Sequence, residues 1–230
     1  MKFDIYIFDL DGTLLNLGDM RSYVDLILQK TLKKLKAPNI PEKNERSQFW
    51  GSGDKYIELL SKWGVLKPQK FWKQYDKVDF KHRRILVPQN KIALFDDVKN
   101  VLDKIYNHKD GKKLAIVSNT SDYVVEYILE KFNISSFFQD FFSMGFKIDE
   151  EFAKPSPHGM LSILKKLHYD QDTHRAIMIG DSMSDIIAAK RANISACLIK
   201  RNTLRHRKRI NEWEFQPDYI IEGLDEILKL

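Results

Sequence analysis

The sequence is poor in the residues and runs that mark cross-linked, zinc-binding or membrane-spanning proteins. Its 230 residues include a single cysteine, Cys197, which excludes an internal disulfide framework and a cysteine-rich zinc site. No apolar run approaches the roughly 18–20 residues that a membrane-spanning helix needs. The first strand pattern begins so close to Met1 that we expect no signal peptide. Together these absences predict a cytoplasmic protein without a membrane segment.

The positive charge of the chain is concentrated in one segment. The formal net charge is +6, yet residues 16–91 alone carry 17 Lys and Arg against 8 Asp and Glu. Such a surface could attract anionic ligands, although the solvated faces of lysine-rich helices have the same composition. A second basic run, residues 200–210, lacks the interleaved aromatic side chains that stack on nucleic-acid bases. We therefore expect no nucleic-acid partner.

The first 14 residues indicate a buried strand that ends in a turn with two carboxylates. Residues 3–8 form a β-branched and aromatic run, which is typical of a strand. Asp9 and Asp11 follow it beside Gly12, whose backbone tolerates a tight turn. Like charges this close need a cation or a shared proton. On its own, the pattern fits either an ordinary Asp-Gly turn or an active site.

Residues 15–90 show the periodicity of helices. Apolar residues recur at three- and four-residue spacing from Met20 to Leu35, as in an amphipathic helix, and Gly64 stands where a later helix would end. We predict an all-helical domain, residues 15–90, inserted into a discontinuous core domain of residues 1–14 and 91–230. The core of the helical domain is expected to include three tryptophans, Trp50, Trp63 and Trp72.

From Lys91 onward, short apolar strands alternate with amphipathic helices. The strand patterns cover residues 114–117, 141–144, 176–179, 196–199 and 219–221, and a closing helix is predicted over residues 224–230. This alternation indicates a parallel sheet covered by helices on both faces. The predicted fold class is α/β, with a Rossmann-like doubly wound parallel sheet in the core and an inserted helical cap domain.

Polar residues follow three of the predicted strands. Ligands of such sheets bind beyond the carboxyl ends of the strands, so these residues converge on one site if the strands are neighbours. Clustered carboxylates suit Mg²⁺, a serine can hold phosphate oxygens, and Lys154 can offset the remaining negative charge. An aspartate can also serve as a covalent nucleophile. The residues concerned are Asp9, Asp11, Ser118, Asn119, Asp181 and Asp185.

These residues, in this order, resemble the four motifs of the haloacid dehalogenase (HAD) superfamily of hydrolases. Asp9 to Thr13 match the first motif, DxDGT, and Ser118, in Ser-Asn-Thr, matches the second. Lys154, followed by Pro155, matches the third, and Gly180 to Asp185 match the fourth, GDxxxD. Residues 95–119 and 217–221 also resemble stretches of the phosphoglycolate-phosphatase-like branch, and the helical insert resembles the type-1 cap of the family.

The resemblance implies a role for each matched residue. Asp9 would attack the phosphorus atom and become an aspartyl-phosphate, while Asp11 would protonate the leaving oxygen and then activate water. The implied ligands of Mg²⁺ are the Asp9 carboxylate, the Asp11 backbone carbonyl, Asp181 and Asp185. The implied phosphoryl-binding residues are Ser118 and Lys154, assisted by Thr13 or Asn119. In the cap, the loop residues implied to touch the substrate are Gly51 and Ser52.

The predicted function is that of a Mg²⁺-dependent phosphatase, which hydrolyses a small phosphorylated metabolite through an aspartyl-phosphate. A phosphomutase or a nucleotidase would use the same core residues, and a non-catalytic phosphate-binding protein could keep the same fold, so these alternatives stay open. A haloacid dehalogenase is disfavoured because that chemistry lacks the second aspartate of the first motif. The sequence does not define the substrate, and we expect either a monomer or a homodimer.

Overall fold

The computed structural model describes residues 1–50, 52–145, 150–201 and 210–230. Its strands are β1 (Ile5–Phe8), β2 (Leu15–Asn16), β3 (Ala93–Leu94), β4 (Lys113–Ser121), β5 (Asp140–Met144), β6 (Ala176–Gly180), β7 (Ser195–Ile199) and β8 (Tyr219–Ile221). Its α-helices are α1 (Met20–Lys34), α2 (Lys43–Phe49), α3 (Tyr56–Lys62), α4 (Pro68–Leu86), α5 (Val98–Tyr106), α6 (Asp122–Lys131), α7 (His158–Lys166) and α8 (Met183–Arg191). In none of the described helices do length and apolarity together suffice to cross a membrane.

Six of the described strands form one parallel sheet in the order β5-β4-β1-β6-β7-β8. The chain builds outward from β1 to β4 and β5, then returns to place β6 on the other side of β1. The order therefore reverses beside β1, where an open α/β sheet forms its ligand crevice. Phe8 of β1 is in register with Ile116 of β4 and Ile179 of β6. This topology confirms the predicted fold class and places the ends of three strands side by side.

The central strand is buried along its whole length. All four residues of β1 are buried, because the strand has a neighbour along each edge. Ile5 and Ile7 share a hydrophobic cluster with Ile163 of α7 and Ile186 of α8. Each such side chain contributes roughly 1.5–3 kcal/mol through its burial. The buried strand therefore provides a rigid support for the residues that follow it.

The described residues divide into two compact units according to their contacts. One consists of Met1–Asn16 with Leu94–Leu230 and contains the six-stranded sheet, and the other is Leu17–Ala93, which contains α1 to α4. The role of the helical unit as a cap domain over residues 15–90 stays a prediction. Its hydrophobic core consists of aliphatic and aromatic side chains, namely Leu28, Leu32, Phe49, Leu60, Trp63, Val65 and Phe71.

Helix α3 ends at the glycine that the sequence indicated. Gly64 has a φ of 87°, a left-handed conformation that suits glycine after a helix. A Cβ atom at this position would lie 2.4 Å from the ring of Pro38. Backbone conformation and available space therefore both require glycine here, and the predicted helix end is confirmed.

The prediction that all three tryptophans of the helical unit are buried was wrong for Trp50. Trp63 is buried and Trp72 is half-buried, but Trp50 is 42% exposed. Trp50 follows the last residue of α2 and packs edge-on against the rings of Phe49 and Tyr75. It therefore borders the aromatic cluster and leaves one side of its indole in solvent.

Two other predicted elements have different bounds or geometry. The predicted closing helix is a 3₁₀ helix over Leu224–Lys229, because a segment this short gains little from the cooperative α-helical pattern. Strand β4 continues to Ser121 instead of ending at Val117, with a shift in its register to β5 between these two residues. The polar residues after Val117 therefore stay attached to the sheet.

A buried ion pair within the last helix of the helical unit is hydrogen-bonded to the first helix. Asp79 of α4 accepts a hydrogen bond of 2.5 Å from the Tyr23 hydroxyl of α1 and one of 2.9 Å from Nε of Arg83. All three residues are buried. Removing one partner of a buried pair costs more than the pair contributes, because the remaining charge stays out of water.

Replacing Asp79 with alanine should therefore lower the free energy of unfolding of the helical unit by about 3–5 kcal/mol. Urea unfolding followed by tryptophan fluorescence measures this change, because three of the four tryptophans lie in residues 17–93. Lys62→Ala is the control, since it removes a salt bridge whose lysine side chain is 68% exposed and should hardly move the midpoint. Equal shifts in the two variants would contradict the prediction.

Candidate active site

The turn after β1 places Asp9 and Asp11 in different surroundings. Asp9 is buried and Asp11 is half-buried. Gly12 takes a φ of 85°, and the N–H of Leu15 donates to the carbonyl oxygen of Leu10 at 2.8 Å. This hydrogen bond closes the turn and fixes where each carboxylate points.

The ammonium group of Lys154 connects three elements at the end of the sheet. Its Nζ donates to Asp9 Oδ1 at 2.7 Å, to the carbonyl oxygen of Val117 at 2.8 Å and to Asp185 Oδ1 at 2.6 Å. An ammonium group has three N–H donors, so all of them are engaged. The side chains of Lys154, Asp9 and Asp185 are 4%, 10% and 0% exposed. Hydrogen bonds between charged groups this deeply buried are strong.

Asp181 completes a group of three buried carboxylates with Asp9 and Asp185. One oxygen atom of each residue lies within 4.8 Å of the other two. Asp185 Oδ2 also accepts hydrogen bonds from the N–H and the hydroxyl of Ser182, at 3.0 and 2.5 Å, in the capping box that begins α8. A buried set of oxygen donors such as this fits a site for a hard metal ion.

Burial and the opposite charges nearby shift the pKa values of Asp9 and Lys154 in opposite directions. Burial is the largest cause of a raised pKa at Asp9; the nearby charge of Lys154 lowers this pKa, and the charges of Asp185 and Asp181 raise it. Together these effects raise the pKa of Asp9 to about 8. Burial lowers the pKa of Lys154, but the charges of Asp185 and Asp9 outweigh this effect and raise it above its ordinary value. Lys154 therefore stays protonated, and positive charge beside Asp9 favours its ionised form.

The last residues of β4 bring three polar side chains to the same edge of the sheet. Asn119 donates through Nδ2 to the carbonyl oxygen of Lys154 at 3.0 Å, and its Oδ1 accepts from the N–H of Lys154 at 2.8 Å. Ser118 is buried, and its Oγ accepts from the N–H of Thr120 at 3.2 Å. The Thr120 hydroxyl donates to Asp11 Oδ2 at 2.8 Å. The end of β4 therefore contacts both Lys154 and Asp11.

Thr13 lies in the turn after β1, and its backbone is hydrogen-bonded to Arg201. Its carbonyl oxygen accepts from Nε and Nη2 of Arg201, each at 3.2 Å. Arg201 also forms two hydrogen bonds of 2.7 Å with the carboxylate of Asp97. The hydroxyl of Thr13 is buried and has no hydrogen-bond partner among the described residues. Because such a hydroxyl costs free energy when it stays unsatisfied, it fits a position that a ligand would contact.

Three residues that shape the site were absent from the sequence prediction, namely Thr120, Ser182 and Arg201. Ser182 and Asp185 have the Ser-x-x-Asp spacing of a capping box, so this signal was present. Thr120 and Arg201 contact residues that are 109 and 188 positions away in the sequence. No local pattern indicates such pairs.

The predicted substrate contacts of the helical insert stay predictions. Gly51 lies outside the described residues, as do residues 202–209 of the basic run. Ser52 belongs to the helical unit, where its hydroxyl donates to the carbonyl oxygen of Phe49 at 2.8 Å.

The sequence that builds this sheet and site matches a known family. The family described as haloacid dehalogenase-like hydrolase matches residues 6–199. The chain belongs to this family. The hydrolase is 30% identical over 226 residues to a phosphoglycolate phosphatase of Aquifex aeolicus, across 98% of this chain and 95% of that protein. It is 26% identical over 230 residues to the pyrophosphatase PpaX of Oceanobacillus iheyensis, across 100% and 97% of the two chains.

Solved structures agree with this assignment at the level of the fold. CbbY from Rhodobacter sphaeroides, in complex with phosphate, has a TM-score of 0.71 and 18% identity, across 98% of this hydrolase and 96% of that chain. A predicted phosphatase from Clostridium acetobutylicum has a TM-score of 0.71 and 17% identity, across 100% of both chains. The family and its phosphatase-named relatives confirm the enzyme class predicted from the sequence, a phosphoric monoester hydrolase.

A substitution at Gly180 tests whether the three clustered carboxylates bind a metal ion, because a Cβ atom there would lie 2.3–2.4 Å from the side chain of Asp185. Gly180→Ala should displace Asp185 and weaken the binding of Mg²⁺ by about tenfold or more, as measured by isothermal titration calorimetry. Gly111→Ala is the control, since its φ of 64° strains an alanine, while a Cβ atom there would meet nothing within 4 Å, in the turn that precedes β4. It should lower stability while retaining the affinity for Mg²⁺. Unchanged affinity in the folded Gly180→Ala protein would contradict the assignment of these carboxylates to a cation.

Proposed function

We propose that this hydrolase removes the phosphoryl group from a small phosphomonoester through an aspartyl-phosphate on Asp9, with Mg²⁺ as its cofactor. The observation that supports this best is the buried hydrogen bond of 2.7 Å between Lys154 and Asp9. It fixes one carboxylate at the end of the central strand, beside a positive charge that favours its ionised form against the effect of burial. A carboxylate held in this way is suited to attack phosphorus.

The residues around Asp9 fit Mg²⁺ by their chemistry. Among the residues that the structure describes, three carboxylates are gathered around the ammonium group of Lys154, so negative charge is in excess there. Mg²⁺ prefers oxygen ligands, and we expect Asp9, Asp181 and the Asp11 backbone carbonyl to hold it, with Asp185 direct or through water. When bound, the ion would offset the charge of the phosphoryl oxygens during transfer.

The proposed reaction has two steps. In the first, an Asp9 oxygen attacks phosphorus, the bond from phosphorus to the leaving oxygen breaks, and the protonated carboxyl group of Asp11 gives its proton to that oxygen. In the second, Asp11 takes a proton from a water molecule as the water oxygen attacks the same phosphorus. The bond between Asp9 and phosphorus then breaks, phosphate leaves, and both aspartates return to their initial states.

Two hydroxyl groups are the proposed donors to the phosphoryl oxygens. The Oγ of Ser118 already accepts the N–H of Thr120, so the Ser118 hydroxyl proton can point toward another acceptor. The Thr13 hydroxyl has no partner among the described residues. Lys154 would contribute its charge, and Asn119 would hold the backbone of Lys154 in place. We therefore assign phosphate binding mainly to Ser118 and Thr13.

The proposed substrate is a small phosphorylated anion. The relatives named phosphoglycolate phosphatase and pyrophosphatase PpaX make 2-phosphoglycolate and pyrophosphate the first compounds to test. Selection among substrates is assigned to the helical unit acting as a cap, with Gly51 and Ser52 in its loop. The excess of basic residues in this unit favours anionic substrates in general. Release of inorganic phosphate, as opposed to its transfer to a second hydroxyl, distinguishes a phosphatase from a phosphomutase.

Asp9→Asn should lower the hydrolysis of 4-nitrophenyl phosphate in the presence of Mg²⁺ by at least about 1,000-fold, because an amide is a poor nucleophile. Removal of divalent cations with EDTA should abolish wild-type activity, and added Mg²⁺ should restore it. The release of 4-nitrophenolate measures both effects. Mass spectrometry of the variant must show that the introduced asparagine has not deamidated back to aspartate.

Asp4→Asn is a matched control from the other end of β1, where the Asp4 carboxylate accepts from Lys112 Nζ and the N–H of Arg175. It should retain activity within about twofold when the protein is folded, since Asp4 precedes β1 and therefore lies at the opposite end of this strand from Asp9. An Asp9→Asn protein as active as the Asp4→Asn protein would refute the proposed nucleophile.

A further inference from the structure

Thr120 contacts two of the groups to which the proposed function gives a role. Its side-chain hydroxyl donates to Asp11 Oδ2 at 2.8 Å, and its backbone N–H donates to Ser118 Oγ at 3.2 Å. Asp11 follows β1 and Thr120 lies at the end of β4, and these strands are neighbours in the sheet. Thr120 therefore connects Asp11, in the turn after β1, with Ser118, near the end of β4.

We propose that Thr120 is a positioning residue, which orients the Asp11 carboxyl group toward the oxygen of the leaving group. This inference rests on the proposed function, in which Asp11 is the proton donor. A hydrogen bond to Oδ2 restricts rotation of the carboxyl group and so determines which of its oxygens faces away from Thr120. Proton transfer requires the donor within hydrogen-bond reach of its acceptor, and holding it there beforehand lowers the entropic part of the barrier.

The structure gives the Thr120 hydroxyl little freedom of its own. Threonine is branched at Cβ, which restricts its χ1 angle, and its backbone is fixed by the hydrogen bond to Ser118. Thr120 is half-buried. Valine would fill the same volume without the hydroxyl, and serine would keep the hydroxyl without the methyl group. These two substitutions separate the hydrogen bond from the packing.

The need for a proton depends on the leaving group. A 4-nitrophenolate is weakly basic and departs without protonation, whereas a 4-methoxyphenolate is more basic and benefits from a proton in the transition state. A series of substituted phenyl phosphates changes this property while the reacting phosphoryl group and the size of the ring stay nearly constant. The dependence of log kcat/KM on leaving-group basicity therefore reports on the proton donor. Hydrolysis of the aspartyl-phosphate does not enter, because kcat/KM includes only the steps up to release of the phenol.

The experiment measures kcat/KM for 4-nitrophenyl, 4-chlorophenyl, phenyl and 4-methoxyphenyl phosphate with Mg²⁺. For Thr120→Val we expect a loss of about twofold on 4-nitrophenyl phosphate that grows to about 20-fold on 4-methoxyphenyl phosphate. Thr120→Ser should restore most of this loss. The slope for Thr120→Val should lie between those of the wild type and of Asp11→Asn.

Ser121→Ala is the matched control, because it removes a neighbouring buried hydroxyl that has no hydrogen-bond partner among the described residues. Its slope should equal that of the wild type. The slope does not depend on the fraction of active enzyme, so partial misfolding of a variant does not alter it. An equal loss on all four substrates in Thr120→Val would overturn the positioning role and leave the proposed function intact. Failure of the proposed function would appear separately, as full activity of the Asp9→Asn protein.

Discussion

The site depends first on the ammonium group of Lys154, which is surrounded by three acceptors from different parts of the chain. Asp9 comes from the end of β1, Val117 from β4, and Asp185 from the first turn of α8. Each carboxylate would be costly to bury without a positive partner, and the ammonium would be costly to bury without the carboxylates. The same contacts therefore stabilise the end of the sheet and assemble the groups proposed to react.

The sequence could predict this convergence because its signals were local. Three of the apolar strand patterns ended in polar residues. The rule that ligands bind at the carboxyl ends of parallel strands predicted that Asp9, Ser118 and Asp181 lie at one edge. The four motifs of the family occur in their usual order, and the fourth also contains the capping box of Ser182 and Asp185. Gly64 was predictable for a similar reason, since a helix end has a backbone requirement that glycine meets.

The remaining contacts depend on tertiary structure and have no local sequence signal. The hydrogen bond from Thr120 to Asp11 requires β1 and β4 to be neighbours and β4 to extend through Ser121. The hydrogen bonds from Arg201 to Thr13 and Asp97 require that three segments, distant in the sequence, lie side by side. Trp50 failed as a core prediction because hydrophobic spacing shows that a residue is near the core and does not show which side of its ring stays in solvent. Contacts between such distant side chains can therefore be identified only when the fold is known.

The saturation of Lys154 changes how the site should be understood. A lysine has three donors, and here they are directed to Asp9, Asp185 and a backbone carbonyl, while Asn119 holds its backbone from both sides. In this arrangement Lys154 can act on a phosphoryl group through its charge and through the orientation of Asp9, and hydrogen bonds to phosphoryl oxygens fall to other donors. The buried hydroxyls of Ser118 and Thr13 are the donors to which we assign this role. A lysine that first organises the proposed nucleophile would thus explain why the proposed phosphate site also needs hydroxyl groups.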